Sequence, residues 1–447
     1  MDRRHFVSGT SLGIVTASIA MTGVAHASSP RSAEPIASLA ESDAAATEAI
    51  RPFRIDVPEA KLADLRARIN ATIWPEREVV ADDSQGAKLA TMQAFAHDWA
   101  TDYDWRKIEA RLNALPQFVT NIDGLDIHFI HVRSKHDHAL PLIVSHGWPG
   151  SIIEQLKIIE PLTNPTAYGG TAADAFDVVI PSLPGYGFSE RPSTPWDGAG
   201  TARAWTTLMK RLGYTRFVAQ GGDVGSLITN AMGAQAPPEL LGVHVNLVLT
   251  TPPEIAKAVA NGEPAPAGLS ADERTAYDQF KDFKTGHFAY AAMMATRPQT
   301  LYGLVDSPIA LAAWLFDHGD GWGQPAATMI SALAGHTVNG HSAGALTRED
   351  VFDNTTLYWL TGTGVSAARY YWNNARIPPN AGVSIPAGVT AFPGELFVVP
   401  RSWAEYTYHK LVYYHKADAG GHYAAWEQPQ LFSEELRAAF RLMRTSS

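Results

Sequence analysis

The chain has 447 residues, of which 46% are hydrophobic and 18% are charged, so it is long enough to bury a large core, and more than one domain is expected. Its formal net charge is −10 and its basic residues form no runs, which excludes the electrostatic pattern of a nucleic-acid-binding protein. Cysteine is absent, which excludes disulfides, thiolate metal sites and cysteine nucleophiles.

The first residues are typical of an export signal. A twin-arginine pair at residues 3–4 precedes a moderately apolar stretch from Phe6 to Ala25, which closes on an A-x-A cleavage pattern. We therefore expect residues 1–27 to be a Tat-like signal that sends the folded protein to the periplasm. An uncleaved membrane anchor is the alternative, because the stretch is close to bilayer-spanning length. Residues 28–50 read as a polar linker, and no later apolar run is long enough to span a membrane.

Residues 51–118 are predicted to form a mostly helical N-terminal segment. Apolar residues recur at helical spacing in Glu59–Ile69 and in Ala87–Leu112, and Trp74-Pro75 interrupts the pattern between them.

Short strand-like runs then alternate with helix-length segments, which predicts a mostly parallel sheet with helices on both faces. A Pro-punctuated, helix-like stretch, residues 251–378, interrupts the alternation and is predicted to be a helical cap. The core is therefore expected in two parts, residues 119–250 and 379–447. The predicted strands are Leu125–Val132, Leu140–Ser145, Phe176–Pro181, Phe217–Gln220, Val243–Val248, Val389–Phe392 and Leu411–Tyr414.

The segment Gly221–Ser226 (GGDVGS) directly follows a predicted strand, and the helix-like Leu227–Met232 follows it. This is the nucleophile-elbow pattern with Asp223 in the place where lipases have serine. An ionised aspartate needs no base to attack carbon and form an ester. We therefore predict that Asp223 is the nucleophile; the alternative is a Gly-rich turn whose aspartate only caps a helix.

The loop His146–Ser151 (HGWPGS) follows the strand LPLIVS and could direct the backbone N–H of Trp148 into the site. Together with the N–H of Val224 it would form an oxyanion hole. His146 itself is interpreted as structural. A second tight loop, Pro181–Ser189, is expected to form part of the site wall.

Near the C-terminus, His422 lies on a Gly-flanked loop after a predicted strand, and Glu395 lies on an earlier loop of the same kind. The chain order Asp223, Glu395, His422 is the order of nucleophile, acid and base in α/β-hydrolases. His422 would take a proton from water while Glu395 orients the imidazole. No histidine pair has a carboxylate at metal-ligand spacing, so we expect neither a metal nor another cofactor.

On these residues the chain resembles the microsomal-type epoxide hydrolases, including the juvenile-hormone epoxide hydrolases, from about Arg51 to Leu442. The resemblance implies the α/β-hydrolase fold, an N-terminal meander before the core, and hydrolysis of a small-molecule epoxide by water to a vicinal diol. Its motifs occur in family order: HGWPGS, PSLPGYGFSE, GGDVGS, TRPQT, DSP, AFPGE and GGHYAAWEQP.

The resemblance also implies two cap tyrosines that hydrogen-bond the epoxide oxygen, which is a poor leaving group without a donor. Counting from the TRPQT motif gives Tyr290, although alignment on Gly286 would give His287 instead. The second is Tyr371, with Tyr370 as its neighbouring rival; on a helix these two point about 100° apart. The apolar, aromatic cap indicates a lipophilic epoxide.

Two other functions fit parts of the pattern. Haloalkane dehalogenases share the fold and the aspartate nucleophile, but they commonly bind halide with a tryptophan directly after it, where this chain has Val224. A non-catalytic ligand-binding protein on the same fold would have no need of the triad, whereas all three candidate members are present.

Overall fold

One nine-stranded sheet organises the protein, whose computed structural model describes residues 48–82, 84–317, 326–338, 340–375 and 382–444. The predicted signal at residues 1–27, most of the predicted linker, and the predicted boundary between cap and core at residue 378 lie outside these ranges.

The strands follow one another across the sheet in the order β1-β2-β3-β5-β4-β6-β7-β8-β9. The pairs from β1 to β5 are antiparallel, and those from β5 through β9 are parallel. The carboxyl ends of β4, β6 and β7 therefore meet at one edge. The strands are β1 (Arg51–Pro52), β2 (Gln117–Ile122), β3 (Leu125–Val132), β4 (Leu140–Ser145), β5 (Phe176–Pro181), β6 (Phe217–Gly221), β7 (Leu240–Val245), β8 (Val383–Ala391) and β9 (Tyr408–Lys416).

The bounds of β3, β4 and β5 agree with the sequence prediction, and those of β6 agree within one residue. The predicted strand Val243–Val248 was wrong by three residues at each end. Pairing with β6 begins at Leu240, and after Val245 the chain leaves the sheet at Asn246, whose side chain lies beside Gly222. The sequence prediction missed β1 and β2, and β2 begins inside the segment that was predicted as helical.

The helices cover both faces of the sheet and fill the insert between β7 and β8. None of those in the described ranges is long and apolar enough to cross a membrane. The α-helices are Glu59–Asn70, Leu89–Thr101, Trp105–Asn113, Ile159–Thr163, Gly198–Arg211, Val224–Gln235, Pro253–Ala260, Ala271–Gly286, Ala289–Thr296, Gly303–Asp306, Pro308–Phe316, Ala326–Ala334, Arg348–Thr361, Gly364–Asn374, Arg401–Thr407, Ala424–Glu427 and Pro429–Arg444; the 3₁₀ helices are Ile152–Ile158, Pro165–Ala167, Ala172–Asp174 and Pro298–Thr300.

The predicted helix Ala87–Leu112 is two helices, Leu89–Thr101 and Trp105–Asn113. A new helix begins at Trp105 because the side chain of Asp104 caps it: this side chain accepts a hydrogen bond from the N–H of Arg106. The apolar spacing continues through this break, so periodicity alone did not reveal it.

The N-terminal segment packs against the insert through the helix Arg348–Thr361. Trp99 Nε1 donates to Thr356 Oγ1 at 2.8 Å, and the Tyr103 hydroxyl donates to Asp353 Oδ1 at 2.8 Å. Trp99 is only 1% exposed and the Thr356 side chain is buried, so their hydrogen bond is shielded from water. The helix is thereby attached to a part of the chain about 250 residues earlier.

Candidate active site

Asp223 lies at the sharp turn between β6 and the helix Val224–Gln235, with φ 50° and ψ −124°. A non-glycine residue in this region is strained by about 1–3 kcal/mol, so the surrounding backbone must hold it there. The close packing requires glycine on both sides of the turn. A Cβ at Gly221 would collide with the carbonyl oxygen of Gly225, and one at Gly225 would collide with that of Ser145. The turn lifts the Asp223 carboxylate above the carboxyl edge of the sheet.

The loop after β4 supplies a donor to this carboxylate. The backbone N–H of Trp148 donates to Asp223 Oδ1 at 2.8 Å. A Cβ at Gly147 would collide with the same carboxylate, so glycine allows the loop to approach it. Val224 is the first residue of the helix that follows, and its N–H has no intrahelical acceptor.

The insert holds this loop in place, a feature for which the sequence carried no signal. Asn354 Nδ2 donates to the carbonyl oxygen of Pro149 at 2.8 Å, and the Tyr358 hydroxyl donates to that of Gly150 at 2.7 Å. Both side chains belong to the helix Arg348–Thr361 and are buried. This helix therefore supports the oxyanion loop as well as contacting the N-terminal segment.

His146 joins two loops. Its Nδ1 lies 3.0 Å from the carbonyl oxygen of Gly147, and its Nε2 accepts the N–H of Leu183 at 3.2 Å. Burial lowers the pKa of His146 to about 4, so the ring is neutral and can serve both bonds at once.

His422 lies between the two acidic residues of the predicted triad. Its Nε2 is 3.5 Å from Asp223 Oδ2, and its Nδ1 is hydrogen-bonded to Glu395 Oε1. A parallel bridge between Gly394 and Gly421 brings the two loops together. Burial would lower the pKa of His422, but Glu395 and Asp223 outweigh burial and raise this pKa well above its usual range.

Tyr290 and Tyr371 belong to helices of the insert and form one side of the site. The Tyr290 ring stacks on Trp148 with centroids 5.1 Å apart, and the Tyr371 ring meets the same tryptophan edge-on at 6.1 Å. The two tyrosine rings are 6.3 Å apart. Burial, and after it the charge of Asp223, raises the pKa of both hydroxyls well above its usual range, so both are protonated donors.

The two rival residues lie elsewhere. The Tyr370 hydroxyl is 3.0 Å from Thr201 Oγ1, which belongs to the helix Gly198–Arg211. His287 ends the helix Ala271–Gly286, with its Nε2 3.3 Å from Asp282 Oδ2. The geometry thus brings Tyr290 and Tyr371 together with Asp223, whereas Tyr370 contacts Thr201 and His287 contacts Asp282.

Two further buried acids near His422 were missed by the sequence reasoning. Glu154 lies in the 3₁₀ helix after the Trp148 loop, and Glu427 lies in the short helix after His422. Burial raises the pKa of each carboxyl to about 8, and the nearby carboxylate of Glu395 adds to this while His422 opposes it. Nothing in the sequence separated them from the chain's other carboxylates. Across the described ranges, no group of three or more His, Asp or Glu side chains could hold a metal ion.

The chain matches two family descriptions in succession. Residues 50–155 match "Epoxide hydrolase N terminus", and residues 141–388 match "alpha/beta hydrolase fold". Together they run from β1 through the insert and into β8, so the N-terminal segment and the sheet both belong to known families.

Curated relatives cover nearly the whole chain. It is 47% identical over 399 residues to a protein of Stigmatella aurantiaca that is provisionally named an epoxide hydrolase, covering 88% of this chain and 86% of the relative. It is 32% identical over 408 residues to epoxide hydrolase 1 of Oryctolagus cuniculus, covering 87% and 88%.

Solved structures agree with these relatives. The juvenile hormone epoxide hydrolase of the silkworm Bombyx mori superposes with a TM-score of 0.77 at 29% identity, over 89% of this chain and 95% of that one. The Aspergillus niger epoxide hydrolase superposes with a TM-score of 0.74 at 31% identity, over 89% and 97%. The chain is a member of the epoxide hydrolase family, with the α/β-hydrolase fold.

Proposed function

We propose that this epoxide hydrolase opens a lipophilic epoxide to a vicinal diol through an ester on Asp223, which water activated by His422 then cleaves. The observation that supports this most is the separation of tasks between the two carboxylate oxygens. Oδ1 accepts the N–H of Trp148 at 2.8 Å, whereas Oδ2 faces His422 Nε2 at 3.5 Å. One oxygen is thus held by a backbone donor, and the other, beside His422, is the one we assign to the attack.

In the first step, Oδ2 of Asp223 attacks an epoxide carbon and the carbon–oxygen bond of the ring breaks. The electron pair moves to the ring oxygen, which takes a proton from the hydroxyl of Tyr290 or Tyr371. Without such a donor an alkoxide would have to leave, so the two hydroxyls are needed for ester formation and not for ester cleavage.

In the second step, His422 takes a proton from water, and the resulting hydroxide attacks the ester carbonyl of Asp223. Charge collects on Oδ1, where the N–H groups of Trp148 and Val224 stabilise it. The ester bond then breaks, the imidazolium protonates the departing oxygen, and the proton left on the Asp223 carboxyl returns to the tyrosine. The oxygen from water stays on Asp223.

Ester formation also prepares the base. In the free enzyme, both Glu395 and Asp223 raise the pKa of His422. Esterification removes the charge of Asp223, so the pKa of His422 falls, the imidazolium releases its proton to solvent, and the neutral imidazole can accept the proton of water; His422 regains a proton from solvent once Asp223 is free again. Glu395 remains to hold the ring and to stabilise its charged form.

We also propose that residues 251–378 act as a cap over a core formed by residues 119–250 and 379–447, after an N-terminal segment at residues 51–118. Tyr290 and Tyr371 come from helices of this insert. With Trp148 they give the site an aromatic wall, which favours lipophilic substrates.

The substrate proposal is tested by comparing styrene oxide, the polar epoxide glycidol and a chloroalkane with the purified protein. We expect diol from styrene oxide, a kcat/KM for it at least about tenfold above that for glycidol, and no halide release. An equal or higher kcat/KM for glycidol would contradict the lipophilic preference, and halide release would favour a dehalogenase.

Export through the twin-arginine route is a separate proposal, supported by the sequence of residues 1–27 alone. Cell fractionation should find shortened protein in the periplasm, and replacing both Arg3 and Arg4 by lysine should retain it in the cytoplasm. Uncut wild-type protein in the cytoplasm would argue against a signal, and uncut protein in the membrane would indicate an anchor.

A further inference from the structure

Glu154 is a buried acid that the steps above do not use. It is the third residue after the loop His146–Ser151, lies in the 3₁₀ helix Ile152–Ile158, and is 8% exposed. Its carboxyl lies against the loop itself, because a Cβ at Gly150 would collide with Glu154 Oε2. The carboxylate of Asp223 lies against the same loop at Gly147 in the same way. The two carboxyls therefore lie along one four-residue stretch of backbone.

The surroundings of Glu154 offer it no counter-ion. In the described part of the chain no lysine or arginine forms an ion pair with it, and Lys157 on the same 3₁₀ helix pairs with Asp350 at 2.5 Å instead. No hydrogen bond to its side-chain oxygens occurs among the described residues either. The groups whose charge acts on it are His422, Asp223, Glu395 and Glu427, and the tyrosines within its electrostatic range are Tyr358 and Tyr423.

A carboxyl that is 8% exposed and has no ion-pair or hydrogen-bond partner among the described residues costs stability, because buried polar groups are normally hydrogen-bonded. Such a cost is typical of positions kept for a function. The hydrolytic water in particular has a need that the triad leaves unmet. His422 accepts one of its two protons, and a second acceptor is required to fix the direction of its lone pair.

We propose that Glu154 is this second acceptor: its carboxyl holds the hydrolytic water opposite His422 and aims the water oxygen at the ester carbon of Asp223. This inference rests on the proposed two-step function and assigns one further residue to its second step. In that step the water donates one O–H to Glu154 and loses the other proton to His422, and the proton bound to Glu154 does not move.

The protonation state of Glu154 suits this task. Burial raises its pKa to about 8, so the group is a neutral carboxylic acid near pH 7 and accepts through its carbonyl oxygen. A neutral acid also avoids placing another negative charge beside Oδ1 of Asp223, where negative charge develops during ester cleavage. The amide of glutamine has the same carbonyl oxygen at the same reach, whereas leucine has none.

The test is a pre-steady-state measurement with styrene oxide in excess over the enzyme at about pH 7, in which rapid quenching and intact-protein mass separate ester formation from ester hydrolysis. For Glu154→Leu we expect ester formation within about threefold of wild type and hydrolysis slower by about 10²-fold, since a misdirected water loses a factor of this size. The ester should therefore accumulate, and kcat should fall without a rise in KM. Glu154→Gln should restore hydrolysis to within about tenfold of wild type.

Glu427 provides the matched control. It is another buried acid beside His422, but its Oε1 already accepts the N–H of Tyr423 at 3.0 Å. Glu427→Gln should leave the ratio of the two steps unchanged. If ester hydrolysis slowed more in Glu427→Gln than in Glu154→Gln, with ester formation unchanged in both, Glu427 and not Glu154 would hold the water. That result would overturn the inference.

Equal slowing of both steps in Glu154→Leu, or wild-type hydrolysis in it, would also overturn the inference. If the leucine variant does not fold, Glu154→Asp decides, because it keeps the acid but withdraws it by one methylene; hydrolysis at the wild-type rate would again exclude the role. The absence of any covalent ester, even in His422→Gln, would instead contradict the proposed function itself.

Discussion

The two sides of the active site are built by different means. On the sheet side, each functional group follows a strand directly: Trp148 after β4, Asp223 after β6 and Glu395 after β8. On the side of the insert, Tyr290 and Tyr371 come from helices separated by about 70 residues of chain and meet only through packing on Trp148. The sheet side is fixed by local sequence and strand order, and the insert side is fixed by tertiary contacts. We therefore expect the sheet side to carry both chemical steps and the insert side to affect the first.

Removal of the nucleophile should have the largest effect. Asp223→Ala should lower kcat/KM for styrene oxide by at least about 10⁴-fold, because alanine has no carboxylate to form the ester. The measurement is diol formation, with circular dichroism to verify folding. Substantial remaining turnover by a folded variant would assign the chemistry to another group.

Replacement of the base, His422, should separate ester formation from ester hydrolysis. His422→Gln should still form the ester and should hydrolyse it more slowly by at least about 10³-fold, since water loses its proton acceptor. Intact-protein mass should rise by the mass of one epoxide and stay there. A variant that turns over without a lasting adduct would show that His422 is not the base.

The insert side is tested by the neighbouring tyrosines. Tyr371→Phe should slow ester formation by about 10²-fold, because the epoxide oxygen loses a proton donor. Tyr370→Phe is the matched control, and it should mainly cost about 1 kcal/mol of folding stability through the lost contact with Thr201. The reverse result in rapid-quench measurements would move the assignment by one residue.

The contact between the N-terminal segment and the insert should have the smallest effect. Thr356→Val leaves the buried Nε1 of Trp99 without its acceptor and should lower the free energy of unfolding by about 1–3 kcal/mol. Thr355→Val, on the same helix, loses only a bond to the carbonyl of Val351 and should cost less. Urea unfolding of both variants makes the comparison, and equal losses would mean that this contact does not brace the helix.

The difference between the sheet side and the insert side of the active site also decides what could be predicted from the sequence. The bounds of β3, β4 and β5 could be predicted because short apolar runs end in Gly- and Pro-rich loops. The positions of Asp223, Glu395 and His422 followed from those loops and from chain order. The first two strands could not be predicted: β1 has two residues, and β2 depends on its antiparallel partners β1 and β3.

Contacts between residues that lie far apart in the sequence could not be predicted from such local patterns. Asn354 and Tyr358 support the oxyanion loop from about 205 residues away, and no local pattern marks them. Tyr371 was named over Tyr370 on the family resemblance alone, because which of the two rings meets Trp148 depends on the rotation of the helix Gly364–Asn374 about its axis. Glu154 could not be singled out from the sequence, because the burial that raises its pKa is a property of the packed chain.

The covalent role of Asp223 is tested most directly by oxygen labelling. The enzyme, in excess over styrene oxide, is allowed one turnover in ¹⁸O-water, and mass spectrometry follows both the diol and the peptide that contains Asp223. We expect unlabelled diol and one heavy oxygen in the Asp223 carboxyl. Heavy oxygen in the diol of the first turnover, with none in that peptide, would mean that water attacks the epoxide directly.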